Sequence, residues 1–237
     1  MRRIEQVLGR VVTANNDRMA RAALDRGAPN PRDLTGVAWH EELIGALPAL
    51  RAEWDRFAVE GPGLPRIEEL IDEHQGNDGD WRAGLLVSRG RPVRALADHF
   101  PQTQAALASV PGVWSGLWSV LGAGAELHEH VGPNRGVLRY HLGIDCGQGA
   151  ALRIGDDVHP YRDGGAILFD DTEPHAAWNR GDRPRVTLFL EVLRPAAGIA
   201  RIENLAVQRL LALDPRYRKA PSRAEALHRA RSTGQRG

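Results

Sequence analysis

At 237 residues the chain is long enough for one sizeable domain, or for a core domain with helical additions. Its 42% hydrophobic and 26% charged residues exclude global disorder, and a net charge of +1 gives no general pull toward nucleic acid or an anionic membrane. Cys146 is the only cysteine, which excludes an intrachain disulfide, and no apolar run approaches the roughly 20 residues of a membrane helix. The opening "MRRIEQVLGRVVTANNDRMA" lacks the apolar core of a signal peptide, so a cytoplasmic protein is expected, with no nucleic-acid or membrane partner.

The first part reads as helical. "IEQVLGRVVTANNDRMARAALDRG" places Ile4, Val7, Leu8 and Val11 at helical spacing and stops at Gly27. "HEELIGALPALRAEWDRFAVEG" repeats the pattern with Leu43, Leu47, Leu50 and Trp54, and Pro48 must sit early in that helix or kink it. "PRIEELIDEH" opens with proline at a first-turn position, and "RGAPNPRD" and "GPGLPR" read as loops. From about residue 81 the texture changes. "WRAGLLVS", "GVWSGLWSVLG", "GVLRYHLGID", "AALRIGD", "DVHPYRD", "GAILFDD" and "RVTLFLEVLR" are short apolar or alternating runs punctuated by Gly, Asp, Asn and Pro. That is the signature of a β-sandwich or barrel. "FPQTQAALASVPG" interrupts it as a helix, and "ARIENLAVQRLLALD" is helical after the last strand. The end, "RYRKAPSRAEALHRARSTGQRG", is basic and reads better as a solvated helix with a frayed end than as a mobile tail. The expectation is one domain, mainly β with α additions: a helical part at 1–80, a double-sheet core at 81–195, and a C-terminal helix and basic tail at 196–237.

Two segments carry chemistry. In the predicted strand from Gly136 to Asp145, Arg139 and His141 lie two apart and share a face, with Leu138, Tyr140 and Leu142 on the other. A buried guanidinium needs a counter-charge, so an anion is expected at this site. Just upstream, His128 and His130 flank Glu129, and an isolated pair of this kind is more often a polar loop than a metal site. The second half of the chain changes that balance. "GGAILFDDTEPHAAWN" runs from an apolar strand through two aspartates to His175, and "RPRVTLFLEVLR" follows with Arg183 and Arg185 near its start. Histidine clusters followed twice by an arginine-bearing strand suggest a transition metal with an anionic cosubstrate beside it, in the mouth of a barrel.

From about Trp114 to Pro195 the chain resembles the aspartyl/asparaginyl β-hydroxylase family of iron(II)- and 2-oxoglutarate-dependent oxygenases. "HVGPNRGVLRYHLG" is similar to that family's His-x-Gly-Pro segment and the Leu-Arg-x-His-Leu-Gly after it. "ILFDDTEPHAAWN" and "RVTLFLEV" match its next two segments in order and spacing, and "FPQTQAALASVPGVWSGLWSVLGAGAEL" resembles the region before the first ligand. The resemblance implies a double-stranded β-helix, or jelly-roll, core of cupin-like kind flanked by N-terminal and C-terminal helices. It implies His130 and His175 as iron ligands, Arg185 and Ser119 on the distal carboxylate of 2-oxoglutarate, and His141 and Arg139 as further carboxylate contacts. His141 is assigned to the cosubstrate, and Arg139 to either cosubstrate or substrate. Gly132 stands where the wider oxygenase class carries a carboxylate ligand, an absence this family shares.

The implied cofactors are Fe(II), 2-oxoglutarate and dioxygen. The implied reaction hydroxylates an unactivated C–H bond, foremost the β-carbon of an aspartyl, asparaginyl or related amino acid that is free, in a peptide or carrier-bound. Relatives also hydroxylate free proline and lipid acyl chains. Two other readings compete with the hydroxylase: a cupin-type metalloenzyme that does not use 2-oxoglutarate, and a non-catalytic protein binding a metal or organic acid. His128 becomes the odd histidine out, Asp170 and Asp171 read as turn or supporting residues, and Trp178 is expected behind His175. His40, His74, His99, His159 and His228 default to surface, loop or turn roles.

Overall fold

The computed structural model describes residues 2–24, 33–71, 76–214 and 218–234. Helices come first: α1 (Arg2–Leu24), α2 (Ala38–Glu60) and the short α3 (Ile67–Leu70). In α2 the buried Leu43, Leu50, Trp54 and Phe57 recur at helical spacing and form the side that meets the sheet. Pro48 lies inside α2 rather than in its first turn. The strands follow as β1 (Asn77–Asp78), β2 (Trp81–Ser88), β3 (Arg91–Pro92), β4 (Val113–Leu121), β5 (Glu126–His130) and β6 (Val137–Asp145), then β7 (Ala150–Ile154), β8 (Asp157–Pro160), β9 (Ala166–Asp170), β10 (His175–Asn179) and β11 (Arg185–Leu193). Helix α4 (Pro101–Ser109) sits between β3 and β4, and α5 (Gly198–Leu211) and α6 (Ala220–Gly234) close the chain.

The strands make two antiparallel sheets, one in the order β1-β5-β10-β7-β8 and the other β3-β2-β4-β11-β6-β9. Neighbours far apart in sequence, such as β11 between β4 and β6, give the double-sheet jelly roll that closes on itself and limits exposed edges. This is the expected double-stranded β-helix with flanking helices. Alternation then divides the larger sheet. Leu188, Leu190 and Val192 of β11 and Leu138, Tyr140 and Leu142 of β6 join a core with Trp54, Phe57 and Phe100 from the helices. The alternate residues face the barrel interior, where Leu152, Ile154, Phe169 and Ala177 form a second, smaller cluster. Glu53 of α2 ties the helices together: its carboxylate accepts hydrogen bonds from Gln102 N (2.6 Å), Thr103 N (2.9 Å) and Thr103 Oγ1 (2.7 Å) at the start of α4. A carboxylate there satisfies open N–H groups and meets the positive end of the helix dipole.

The basic end is not a loose tail over 220–234. Ala220 and Ala224 of α6 are buried, Leu227 packs on the main core, and Arg231 pairs with Glu69 at 2.8 Å. Gly27 and His74 lie outside the described residues. Two strands begin where the sequence offered only polar or turn-like residues: β1 at Asn77, before the expected boundary at 81, and β5 at Glu126. Among the described residues no helix is long and apolar enough to cross a membrane.

Candidate active site

β5 and β10 are neighbours, and their register sets His130 directly opposite His175. The two imidazole centroids are 4.2 Å apart. His130 Nδ1 donates to the His128 carbonyl at 2.8 Å, and His175 Nδ1 donates to the Glu173 carbonyl at 2.7 Å. A carbonyl can only accept, so Nδ1 carries a proton in both rings and Nε2 is the nitrogen through which either neutral ring could bind a ligand. Burial foremost, together with positive charge from His130 and Arg139, pushes the His175 pKa down to about 4 against the hydrogen bond to Glu173. The ring is therefore neutral, as a metal ligand must be.

No third ligand of the usual kind completes this pair: among the described residues no group of three or more His, Cys, Asp or Glu is arranged to hold a metal. Gly132 explains part of this. Its amide donates to the Asp171 carbonyl at 2.8 Å, and a Cβ built on Gly132 would fall inside the Asp171 carboxylate. The space that a side chain at 132 would take is filled by Asp171, whose Oδ1 lies 3.7 Å from His175 Nε2.

At the floor of the barrel, Arg185 opens β11 and is only 2% exposed. Its guanidinium donates to Thr187 Oγ1 at 3.1 Å, lies 3.5 Å from Ser119 Oγ, and stands 4.6 Å from the Tyr161 ring centroid. Ser119 in turn accepts from Trp81 Nε1 at 3.1 Å. No carboxylate among the described residues pairs with Arg185, and its Nε has no hydrogen-bond partner. His141 is beside it. Its Nδ1 is 2.7 Å from the Tyr161 hydroxyl, its Nε2 has no partner, and burial followed by Arg185 and Arg139 holds its pKa well below the usual imidazole range.

The mouth is arranged differently. Arg139 shares its strand face with His141, as alternation requires, and its Nε is 2.5 Å from Asp171 Oδ1. Glu191, its cross-strand partner on β11, is 3.7 Å from Arg139 Nη2 and accepts from Ser115 Oγ at 2.6 Å. The counter-charge demanded by the strand pattern thus comes from the chain itself. One pocket is lined by both histidines, Arg139, His141, Arg185 and Ser119, so all six expected residues meet.

The other candidates separate from this group. His128 pairs with Asp78 at 2.9 Å on the outside, and Glu129 with Arg153 at 2.6 Å. Asp170 accepts from Thr172 N within its turn and binds Arg135 and Arg194. Trp178 is three residues from His175 and so faces away from it, with Arg180 stacked on its ring at 4.9 Å, rather than packing behind the ligand. His40, expected at the surface, is half-buried and hydrogen-bonds the Tyr140 hydroxyl at 2.9 Å. Tyr161, Trp81, Thr187 and Phe189 also line or support the site without having been singled out. Thr187 and Phe189 were readable from alternation with Arg185, whereas Trp81 opens β2 and Tyr161 follows β8, segments whose positions only the closed barrel sets.

The profile of the aspartyl/asparaginyl β-hydroxylase family matches residues 46–195, which span the barrel, α3 and the C-terminal part of α2. The chain belongs to this family. An ornithine lipid ester-linked acyl 2-hydroxylase from Rhizobium tropici is 30% identical over 194 residues, 80% of this chain and 69% of that protein. Aspartate β-hydroxylase domain-containing protein 2 from Homo sapiens is 30% identical over 136 residues, covering 54% of this chain and only 37% of the human protein. A cupin 2 conserved barrel domain protein from Salinispora arenicola is a remote structural likeness, with a TM-score of 0.34 and 15% identity over 61% of this chain and 94% of that one. Membership places this chain in a family whose named relatives are hydroxylases, and its pocket brings His130, His175 and Arg185 together.

Proposed function

We propose that this β-hydroxylase family member uses iron(II) and 2-oxoglutarate to hydroxylate a methylene group next to a carbonyl. The observation that carries the reading is the buried Arg185 guanidinium with no carboxylate partner among the described residues. An isolated buried charge is costly, and a ligand carboxylate at the barrel floor would offset that cost with charge-assisted hydrogen bonds. The pocket fits the cofactors in donor chemistry as well: two imidazoles whose Nδ1 is tied to a carbonyl so that Nε2 is the nitrogen left for a metal, and a partnerless Nε2 on His141.

In this reading His130 and His175 hold iron through Nε2. Arg185 and Ser119 hold the distal carboxylate of 2-oxoglutarate, with Trp81 fixing the serine hydroxyl. Burial raises the Tyr161 pKa to about 12, so its hydroxyl keeps its proton and can donate to His141 Nδ1. That fixes the His141 tautomer with hydrogen on Nε2, ready to donate to a carboxylate oxygen of the cosubstrate. The cofactors supply the oxidising chemistry, consuming dioxygen and releasing succinate and carbon dioxide. The protein orients the C–H bond. Asp171 holds Arg139 at the mouth, where it can take a substrate carbonyl or carboxylate.

The names of the relatives converge on one kind of carbon. The β-carbon of an aspartyl or asparaginyl residue and the 2-carbon of an acyl chain both adjoin a carbonyl. An amino acid, aspartyl peptide or acylated amino acid thus fits the same mouth. Anaerobic addition of iron(II) and 2-oxoglutarate should give a metal-to-ligand charge-transfer band, weakened in Arg185→Gln. A folded, iron-loaded protein without the band would sink the reading. Screening those three substrate types for the mass gain of one oxygen separates them.

A further inference from the structure

The whole-chain charge of +1 conceals an uneven surface. Along α5, Ile199 and Ile202 are each 69% exposed and Leu210 is 42% exposed, and Leu213, two residues past the helix end, is 64% exposed. Apolar residues spaced three or eight apart fall on one stripe of a helix. The opposite side is the anchored one. There Asn204 and Gln208 are buried, Asn204 Nδ2 donates to the Gly136 carbonyl at 2.8 Å, and Gln208 accepts from Asn134 Nδ2 at 2.7 Å. Arg18 of α1 pairs with Glu203 at 2.6 Å, which ties the remaining flank to α1. Arg201 and Arg209 share a shallow groove with Ile202, Leu205 and Ala206, and no carboxylate among the described residues lines it.

We infer that this face of α5 docks on the surface of an anionic lipid bilayer. Its apolar side chains reach the boundary between headgroups and acyl chains, while Arg201 and Arg209 stay at the level of the lipid phosphates. A second copy of the chain suits the face poorly. A twofold contact would set arginine against arginine, and four exposed apolar side chains fall short of the roughly 20–30 residues a side in a standard interface. The helix also adjoins the active site. Gly136 has no room for a Cβ because Asn204 and Gln208 press against it, and Asn16 of α1 holds Pro133 O and Arg135 N. These contacts clamp the 131–136 loop, which leaves directly from His130 and carries the exposed Val131. Docking therefore places the bilayer on the outer side of the helix whose inner side clamps the segment leading out of β5.

The test uses the iron-free full chain with vesicles of phosphatidylcholine alone or mixed with phosphatidylglycerol, and reads the sedimented fraction at low and high salt. Binding is expected on the mixed vesicles and is lost at high salt. Ile199→Ser with Ile202→Ser should lower partitioning by more than about tenfold. R201Q and R209Q should each lower it by about fivefold. Val158→Ser, a comparably exposed side chain on β8, should change nothing, and unchanged melting temperatures would show each variant folded. Failure of the unmodified chain to bind mixed vesicles overturns the inference, as does full binding by the double serine variant. Light scattering that shows a dimer dissociated by the same substitutions overturns it too. With no iron or 2-oxoglutarate present, this result stands apart from any hydroxylation assay.

Discussion

The floor of the barrel and its mouth each hold one guanidinium, and they surround it differently. Arg185 is 2% exposed among hydroxyls and a tyrosine ring, whereas Arg139 lies between Asp171 and Glu191 with its side chain 24% exposed. A buried charge without a carboxylate costs stability in the unliganded protein and suits an anionic ligand. A charge already compensated by two carboxylates is fixed in orientation at little cost. In the proposed reading the contrast separates a ligand-binding arginine from a positioned one, although both lie on interior faces of neighbouring strands.

The largest expected effects test the proposed metal pair, His130 and His175. His130→Ala and His175→Ala should each lose retained iron on desalting and reduce succinate formation by more than about 100-fold, beyond the range usual for supporting contacts. His128→Ala should retain most activity, and an equal, complete loss there would undo the ligand assignment. The two arginines themselves should then respond with opposite signs. Arg139→Met leaves Asp171 and Glu191 uncompensated and should destabilise the iron-free protein by about 3 kcal/mol in urea. Arg185→Met removes an unpaired buried charge and should leave stability unchanged or raised. It should also weaken 2-oxoglutarate by roughly 30-fold or more in calorimetry. Equal destabilisation by both would erase the distinction.

Gly132→Ala tests the packing around Asp171. The new methyl must displace that carboxylate, at a cost of about 1–3 kcal/mol in thermal unfolding. Acidification gives a further handle through His175. Between the usual imidazole pKa of about 6.5 and the lowered value near 4, the unfolded chain takes up a proton that the folded ring refuses. The iron-free protein should therefore lose stability as pH falls through that window, and His175→Gln should flatten the slope. The smallest effect belongs to Trp81→Phe. Loss of the hydrogen bond to Ser119 is worth about 1 kcal/mol, or roughly fivefold in 2-oxoglutarate affinity, with little change in iron retention.

The sequence separated residues at the site according to how local their signal was. Arg139 and His141 could be put on one face because strand alternation is a property of neighbouring residues. His130, His175 and Arg185 were identifiable from ordered motifs, and the closed barrel brings all three into one pocket. Asp171 was readable only as a turn or supporting residue, because its contact with Gly132 joins two loops 39 positions apart. Tyr161 sat unmarked in "DVHPYRD", since nothing local to β8 shows that its hydroxyl meets His141 across the barrel. The polar segment of β5 looked like a loop because its burial is slight and its strand character depends on pairing with β10. Trp178 was placed on the wrong side for want of a strand assignment at His175.

By itself the sequence determined the change from helical to strand texture, the shared face of Arg139 and His141 on β6, and the motif residues from which the family follows. These depend on short-range periodicity and on residue types that persist in a linear pattern. Tertiary structure alone decided which charges are compensated. It gave Arg139 its carboxylates and left Arg185 without one among the described residues. It also filled the position beside Gly132 with Asp171 and turned one side of α5 outward with its isoleucines exposed. Such outcomes depend on which distant strands become neighbours, and electrostatic compensation acts across that closure rather than along the chain.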